Sequence, residues 1–192
     1  QPKAVVIDPG VLSTLPRARM AEGMAEVIKY GCIRDVMLFE SIEKGTFDLE
    51  WILERCIRIK TKVVQNDEFD TGERMLLNFG HTFGHAVEKV TGYMRYTHGE
   101  AVAVGMVVAA VMGENAGITP AGTADRIRAV LDRWKLPLSV ELDTEELYAA
   151  MLSDKKKLSG KIYYVFLKKI GEAATYPLTA DDLKAKLEKA LA

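Results

Sequence analysis

The chain has 192 residues, 48% of them hydrophobic, with 26 Lys and Arg against 27 Asp and Glu for a net charge of −1. That length can bury a proper core in one globular domain, and the balanced charge excludes a general polyanion binder aimed at nucleic acid or an anionic membrane. Cys32 and Cys56 sit in apolar surroundings without paired-motif spacing, which reads as reduced thiols in a cytosolic protein.

Residues 3–8, KAVVID, form a short apolar run closed by Pro9-Gly10 and predict a short strand. No partner strand follows nearby, so the chain reads as beginning in the middle of something larger. No signal peptide is visible before Ala4–Ile7. Ser13 and Thr14 are placed to cap a helix near Leu15-Pro16. In the RARMAEGMAEVIKYG segment that follows, Glu22, Glu26 and Lys29 share one helical stripe, and pattern alone reads them as an exposed charge ladder. Residues 35–44 predict a short amphipathic helix ended by Gly45. Asp48 then caps a long helix to about Val64, with Ile52, Cys56, Ile59 and Val63 on one face. Lys60 and Lys62, near its C-terminal end, suit the helix dipole.

All three histidines of the chain, His81, His85 and His98, fall within residues 67–100. Read as one helix over 72–91, that stretch aligns Arg74, Asn78, His81 and His85 on a narrow stripe, opposite Leu76, Phe79, Phe83, Val87 and Val90. An ordinary surface helix carries Glu and Lys on its polar face. Arg, Asn, His and His in line point instead to one wall of a site for an anionic, oxygen-rich ligand. His81 and His85, one turn apart, are both able to reach one metal. His98 opens the next apolar segment, where a helix N-terminus disfavours imidazolium and leaves the neutral, metal-binding form.

The longest apolar run, Ala101–Met112, is too short to span a bilayer and reads as the central helix of a helical core. Gly117 ends it. A helix is expected from Thr119-Pro120 to Leu136-Pro137, with Ile127, Val130, Leu131 and Trp134 apolar, and another from Asp143 or Thr144 to about Leu152. Residues 154–169, DKKKLSGKIYYVFLKK, carry six lysines and one acid, and KIYYVFL has the composition of a strand. With the rest of the chain near neutral, the lysines read as a local anion site or a solvated loop rather than a nucleic-acid surface. A turn at Ile170-Gly171 leads to a second short strand around Ala174–Pro177, and Thr179 caps a final helix. The fold expected is mainly α: one multi-helical domain over 1–192 with a short N-terminal strand and a late β-hairpin.

Four stretches, GMAEVIKYG (23–31), DE…GERxLLNFGHTFGHAVE (67–88), HGEAVAVGM (98–106) and DKKxxxGKIxxVxL (154–167), together resemble the 3-dehydroquinate synthase family, and QPKAVVID followed by LSTLP resembles the start of its C-terminal domain. The likeness covers nearly the whole chain, in the family's order. It implies an enzyme of the shikimate pathway that converts 3-deoxy-D-arabino-heptulosonate 7-phosphate to 3-dehydroquinate and phosphate. It also implies a cytoplasmic location, NAD, a zinc or other divalent ion such as cobalt, and a homodimer as a candidate assembly. No membrane or nucleic-acid partner is expected. By the same resemblance the metal ligands are Glu26, His81 and His98. His85, Lys29 and Lys60 are catalytic, and Arg74, Asn78 and Lys156 bind the anionic groups of the phosphorylated substrate. Glu26 thereby moves from surface charge to ligand, and His85 from ligand to substrate contact or proton transfer. The sequence departs from the family in having no G-x-G-x-x-G run after a strand. The upstream NAD-binding domain is therefore expected to be absent from this chain, and the isolated chain to be inactive. Related sugar-phosphate cyclases and glycerol-dehydrogenase-type metal-dependent oxidoreductases are the alternatives; Asn78, His85 and the DKK segment favour the first family over the cyclases, and Arg74 with the lysines over the dehydrogenases.

Overall fold

Helix α5 (His98–Asn115) is built almost wholly of Ala, Val, Gly and Met, so it has no polar face to turn to water and the other elements pack around it. The computed structural model describes residues 3–67, 72–155 and 161–192. Ahead of α5 come α1 (Arg17–Arg34), α2 (Val36–Lys44), α3 (Leu49–Asn66) and α4 (His81–Val90). After it come α6 (Thr123–Arg133), α7 (Thr144–Lys155), the antiparallel strands β1 (Ile162–Lys169) and β2 (Glu172–Leu178), and α8 (Ala180–Leu191). The mainly helical plan with a late hairpin is the expected one. No helix of the described residues is long and apolar enough to cross a membrane.

Local chemistry sets most of the boundaries. Asp35 accepts from the Leu38 amide at 3.1 Å to start α2, which Gly45 ends at φ +70. Asp48 accepts from the Trp51 amide at 3.0 Å to start α3. Thr97 with Glu100, and Thr179 with Asp182, form reciprocal capping boxes at the starts of α5 and α8. In the hairpin, Tyr164 faces Tyr176 and Phe166 faces Ala174 across the ladder. The Gly171 amide donates to the Cys32 carbonyl at 2.8 Å, which ties the turn to the end of α1.

Four expectations are corrected. Residues 4–8 form no strand and pair with none among the described residues, and Val6 is 93% exposed. Ser13 and Thr14 do not cap α1. Their hydroxyls donate to the carbonyls of Gly10 and Val11 inside a 3-10 turn, Pro9–Thr14, that Asp8 caps, and α1 begins after Pro16. The stretch 72–91 is not one helix: a 3-10 turn, Glu73–Asn78, precedes Gly80, which at φ +79 breaks the path before α4. Finally, α6 begins at Thr123. The Thr119 hydroxyl instead donates to the Leu167 carbonyl at 2.7 Å, tying that loop to β1.

Candidate metal and anion site

Three helices each bring one donor to a common point: Glu26 from the middle of α1, His81 from the first turn of α4 and His98 from the first turn of α5. Two glycines make the convergence possible. Gly80, in the left-handed region, turns the chain so that α4 begins at His81. Gly99 lies against α1 so closely that an added Cβ would sit 2.5 Å from the Glu22 carbonyl oxygen, so only glycine lets the start of α5 reach the turn that precedes Glu26.

One donor atom from each of Glu26, His81 and His98 lies within 4.8 Å of the others. Glu26 Oε1 is 3.4 Å from His81 Nε2 and 3.8 Å from His98 Nε2. The opposite nitrogens have partners of their own. His81 Nδ1 is 3.2 Å from the Phe79 carbonyl oxygen, and His98 Nδ1 is 3.2 Å from Glu88 Oε1. Those acceptors place the ring proton on Nδ1 and leave each Nε2 lone pair facing the centre. Glu26 Oε2 accepts from Lys29 Nζ at 2.6 Å, while Oε1 is buried with no hydrogen-bond partner. A buried carboxylate oxygen left without a donor is costly, and a cation between it and two imidazole nitrogens would satisfy it. Two histidines and one carboxylate fit a divalent ion with open positions. The His98 side chain is 49% exposed, so that side of the cluster is open to solvent.

The charges agree with this arrangement. Burial pulls His81 down to about 4, with the Lys29 charge adding to it, so the ring is neutral near pH 7. For Glu26, burial is the largest influence and raises the pKa. The Lys29 ammonium, with His81 and His98, outweighs it and holds the carboxyl below its usual range. Lys29 itself is pulled down by burial against the pull of Glu26, and lies over the Tyr30 ring at 5.4 Å.

Not every expected residue shares this point. His85 lies one turn along α4, exposed at the mouth, its ring 5.5 Å from that of His81 and 6.1 Å from that of His98. Lys60, exposed on α3, is close enough for its charge to lower Lys29 further. Arg74 and Asn78 are half-buried on the 3-10 turn, not on the His81–His85 stripe, because the break at Gly80 separates the two segments. That turn packs against α1 and α3, the helices that carry Lys29 and Lys60, and Asp67 accepts from the Arg74 amide at 2.9 Å. Lys156 lies outside the described residues. Glu88 was missed from the sequence. It stands seven residues after His81, on the same helical stripe, and that spacing was the available signal.

Comparison with known proteins identifies the family and the fold. The family described as 3-dehydroquinate synthase C-terminal matches residues 23–157. A 3-dehydroquinate synthase of Clostridium beijerinckii is 46% identical over 179 residues, covering 90% of this chain and 51% of that protein. One of Streptococcus suis is 40% identical over 191 residues, covering 95% and 54%. The chain thus spans about half the length of the curated relatives it matches. Among solved structures, the 2-epi-5-epi-valiolone synthase of Streptomyces hygroscopicus subsp. jinggangensis 5008, with NAD+ and Zn2+ bound, is similar at a TM-score of 0.83 and 25% identity, covering 96% of this chain and 54% of that one. A 2-deoxy-scyllo-inosose synthase complexed with carbaglucose-6-phosphate, NAD+ and Co2+ shares the fold at a TM-score of 0.78 and 22% identity, covering 95% and 54%. The family match takes in α1 from Gly23 onward together with all of α3, α4 and α5, the helices that build the site, and the chain belongs to the 3-dehydroquinate synthase C-terminal family.

Proposed function

We propose that this chain is the metal- and substrate-binding half of a 3-dehydroquinate synthase, which converts 3-deoxy-D-arabino-heptulosonate 7-phosphate to 3-dehydroquinate and phosphate. The observation that carries the reading is the buried, unpartnered Glu26 Oε1 facing two Nε2 atoms. Glu26, His81 and His98 would hold the divalent ion, zinc by preference for a nitrogen and carboxylate set, with cobalt able to replace it. When bound, it supplies Lewis-acid polarisation of substrate hydroxyls. NAD, seated in the part of the relatives' length that this chain does not span, supplies the redox chemistry.

The chain's own residues do the rest. Lys29 keeps Glu26 anionic and shares the site with it, while Lys60 adds positive charge at the rim. Arg74, Asn78 and Lys156 are assigned to the substrate carboxylate and phosphate, for which charge-assisted bonds are well suited. His85, exposed beside the centre, is assigned to proton transfer at the substrate. The free thiols of Cys32 and Cys56 suit a reducing cytoplasm.

The structural neighbours named as other cyclases support a second reading, a related sugar-phosphate cyclase acting on a different sugar phosphate. The much higher identity to 3-dehydroquinate synthases favours the first. Two measurements test it. Residues 1–192 should bind about one zinc per chain, a binding that Glu26→Ala, His81→Ala and His98→Ala abolish and His85→Ala largely spares. The chain alone, given substrate, NAD and zinc, should form no dehydroquinate, and the protein joined to a nucleotide-binding half should form it from the heptulosonate phosphate and not from other sugar phosphates. Equal metal loss in His85→Ala and His81→Ala would refute the assignment of roles.

A further inference from the structure

Glu88 is the single acidic side chain of α4, and it is 8% exposed. Burying a carboxylate is costly unless it is paired. Neither Lys nor Arg pairs with it among the described residues. Its partner is the imidazole of His98, with Oε1 3.2 Å from Nδ1. A carboxylate there only accepts, so the single proton of neutral His98 must sit on Nδ1. The Nε2 lone pair is then left toward Glu26 Oε1, 3.8 Å away. The Phe79 carbonyl does the same for His81. The two rings are thus held by different means: one by a neutral backbone oxygen, the other by an anion that also makes the imidazole a better donor.

A competing arrangement shares His98 with the first. His85, Glu88 and His98 also bring donor atoms within 4.8 Å of one another, so Glu88 is itself placed to be a ligand. The pairing decides between the two. Glu26 Oε1 has no hydrogen-bond partner, whereas Glu88 Oε1 is already engaged by His98 Nδ1. We infer that Glu88 is a positioning residue, which fixes the tautomer and the rotation of His98 so that its Nε2 completes a divalent-cation site with Glu26 and His81. The inference rests on the reading of those three residues as the metal ligands.

Zinc affinity by chelator competition, and the visible absorption of the Co2+-loaded chain, test it in wild type, Glu88→Ala, Glu88→Gln, Glu88→Asp, His98→Ala and Glu26→Ala. Glu88→Ala should still take up one ion, about 10- to 100-fold more weakly, as loss of such a partner typically causes. Its Co2+ bands should be shifted, because His98 is free to turn. Glu88→Gln keeps an acceptor oxygen in the same place and should recover wild-type bands and most of the affinity. Glu88→Asp keeps the charge but falls short of His98, and should behave like the alanine variant; it carries the test if Glu88→Ala does not fold, as judged by a melt in chelator. Wild-type affinity and spectrum in Glu88→Ala and Glu88→Asp would overturn the inference. So would a Gln variant as impaired as Ala, which would make Glu88 a ligand. Undiminished metal binding by both His98→Ala and Glu26→Ala would instead refute the ligand set itself.

Discussion

Charges in two parts of the molecule are treated in opposite ways. Around α2, two acid–base pairs are closed on themselves. Arg126 grips both oxygens of Glu43 at 2.8 and 2.7 Å, and Arg55 grips both oxygens of Asp35 at 2.6 and 3.1 Å. Bidentate pairs like these leave nothing for a ligand. Where α1, α4 and α5 meet, Glu26 has one oxygen held by Lys29 and the other held by nothing, beside two imidazole nitrogens with lone pairs free. The first arrangement fastens helices together. The second keeps unmet bonding capacity in a partly buried place, and unmet capacity is what a binding site consists of.

The largest test of that contrast is to separate α1 from α5. Gly99→Ala puts a methyl group 2.5 Å from a backbone oxygen that has little room to move. The cost should be about 3 kcal/mol, the upper range for overpacking. The same variant should lose metal affinity, because His98 retreats from Glu26. Urea melts and chelator competition on one preparation read both effects. A variant that melts earlier yet binds metal normally would break the link between the close approach and the site.

Acid should distinguish the two regions next. His81 has a folded pKa of about 4, below its ordinary value of 6.5. Its contribution to stability is therefore complete above about pH 6.5 and is lost as the pH falls toward 4, because the unfolded chain binds the proton first. The depressed Glu26 pKa acts in the same direction below its own ordinary value. In chelator, stability should fall by a few kcal/mol, on the order of 2–3, from pH 7 to 4.5. His81→Gln should flatten most of that slope. A slope unchanged by the substitution would place the acid sensitivity elsewhere.

The smallest effects compare one cation from each region. Lys29 is buried, with 4% of its side chain exposed against 34% for Glu26. Lys29→Met should cost about 2 kcal/mol in metal-free protein, below the usual loss for a broken buried pair because water reaches Glu26. The cost should shrink when zinc is bound, since the ion takes over the compensation of Glu26. Arg126→Met removes an exposed pair and should cost less than about 1 kcal/mol, with or without metal. Equal metal dependence in the two variants would erase the distinction between scaffold charge and site charge.

Much of the molecule was legible along the chain. The apolar run Ala101–Met112 announced the central helix, and Asp48, Gly45 and Thr179 marked helix ends where they were expected. These features depend on contacts within a turn or two, so a linear reading captures them. The clustering of His81, His85 and His98 also announced where donor atoms gather, and the four resembling stretches named the family. What stayed hidden depends on neighbours far along the chain. Glu26 and Lys29 looked like any exposed charge ladder, because helical spacing says which residues share a face and not what that face meets. The stripe from Arg74 to His85 was drawn straight through Gly80, whose left-handed turn lies hard against Val102 and Met106 of α5, a neighbour that pattern does not reveal. Glu88 gained its meaning only from His98, ten residues on and on another helix. The sequence by itself determined most of the helices, several of their caps and the kinds of donor available. The tertiary structure decided which donors meet, because their meeting depends on how closely helix backbones approach, and at Gly99 that comes down to the absence of a single methyl group.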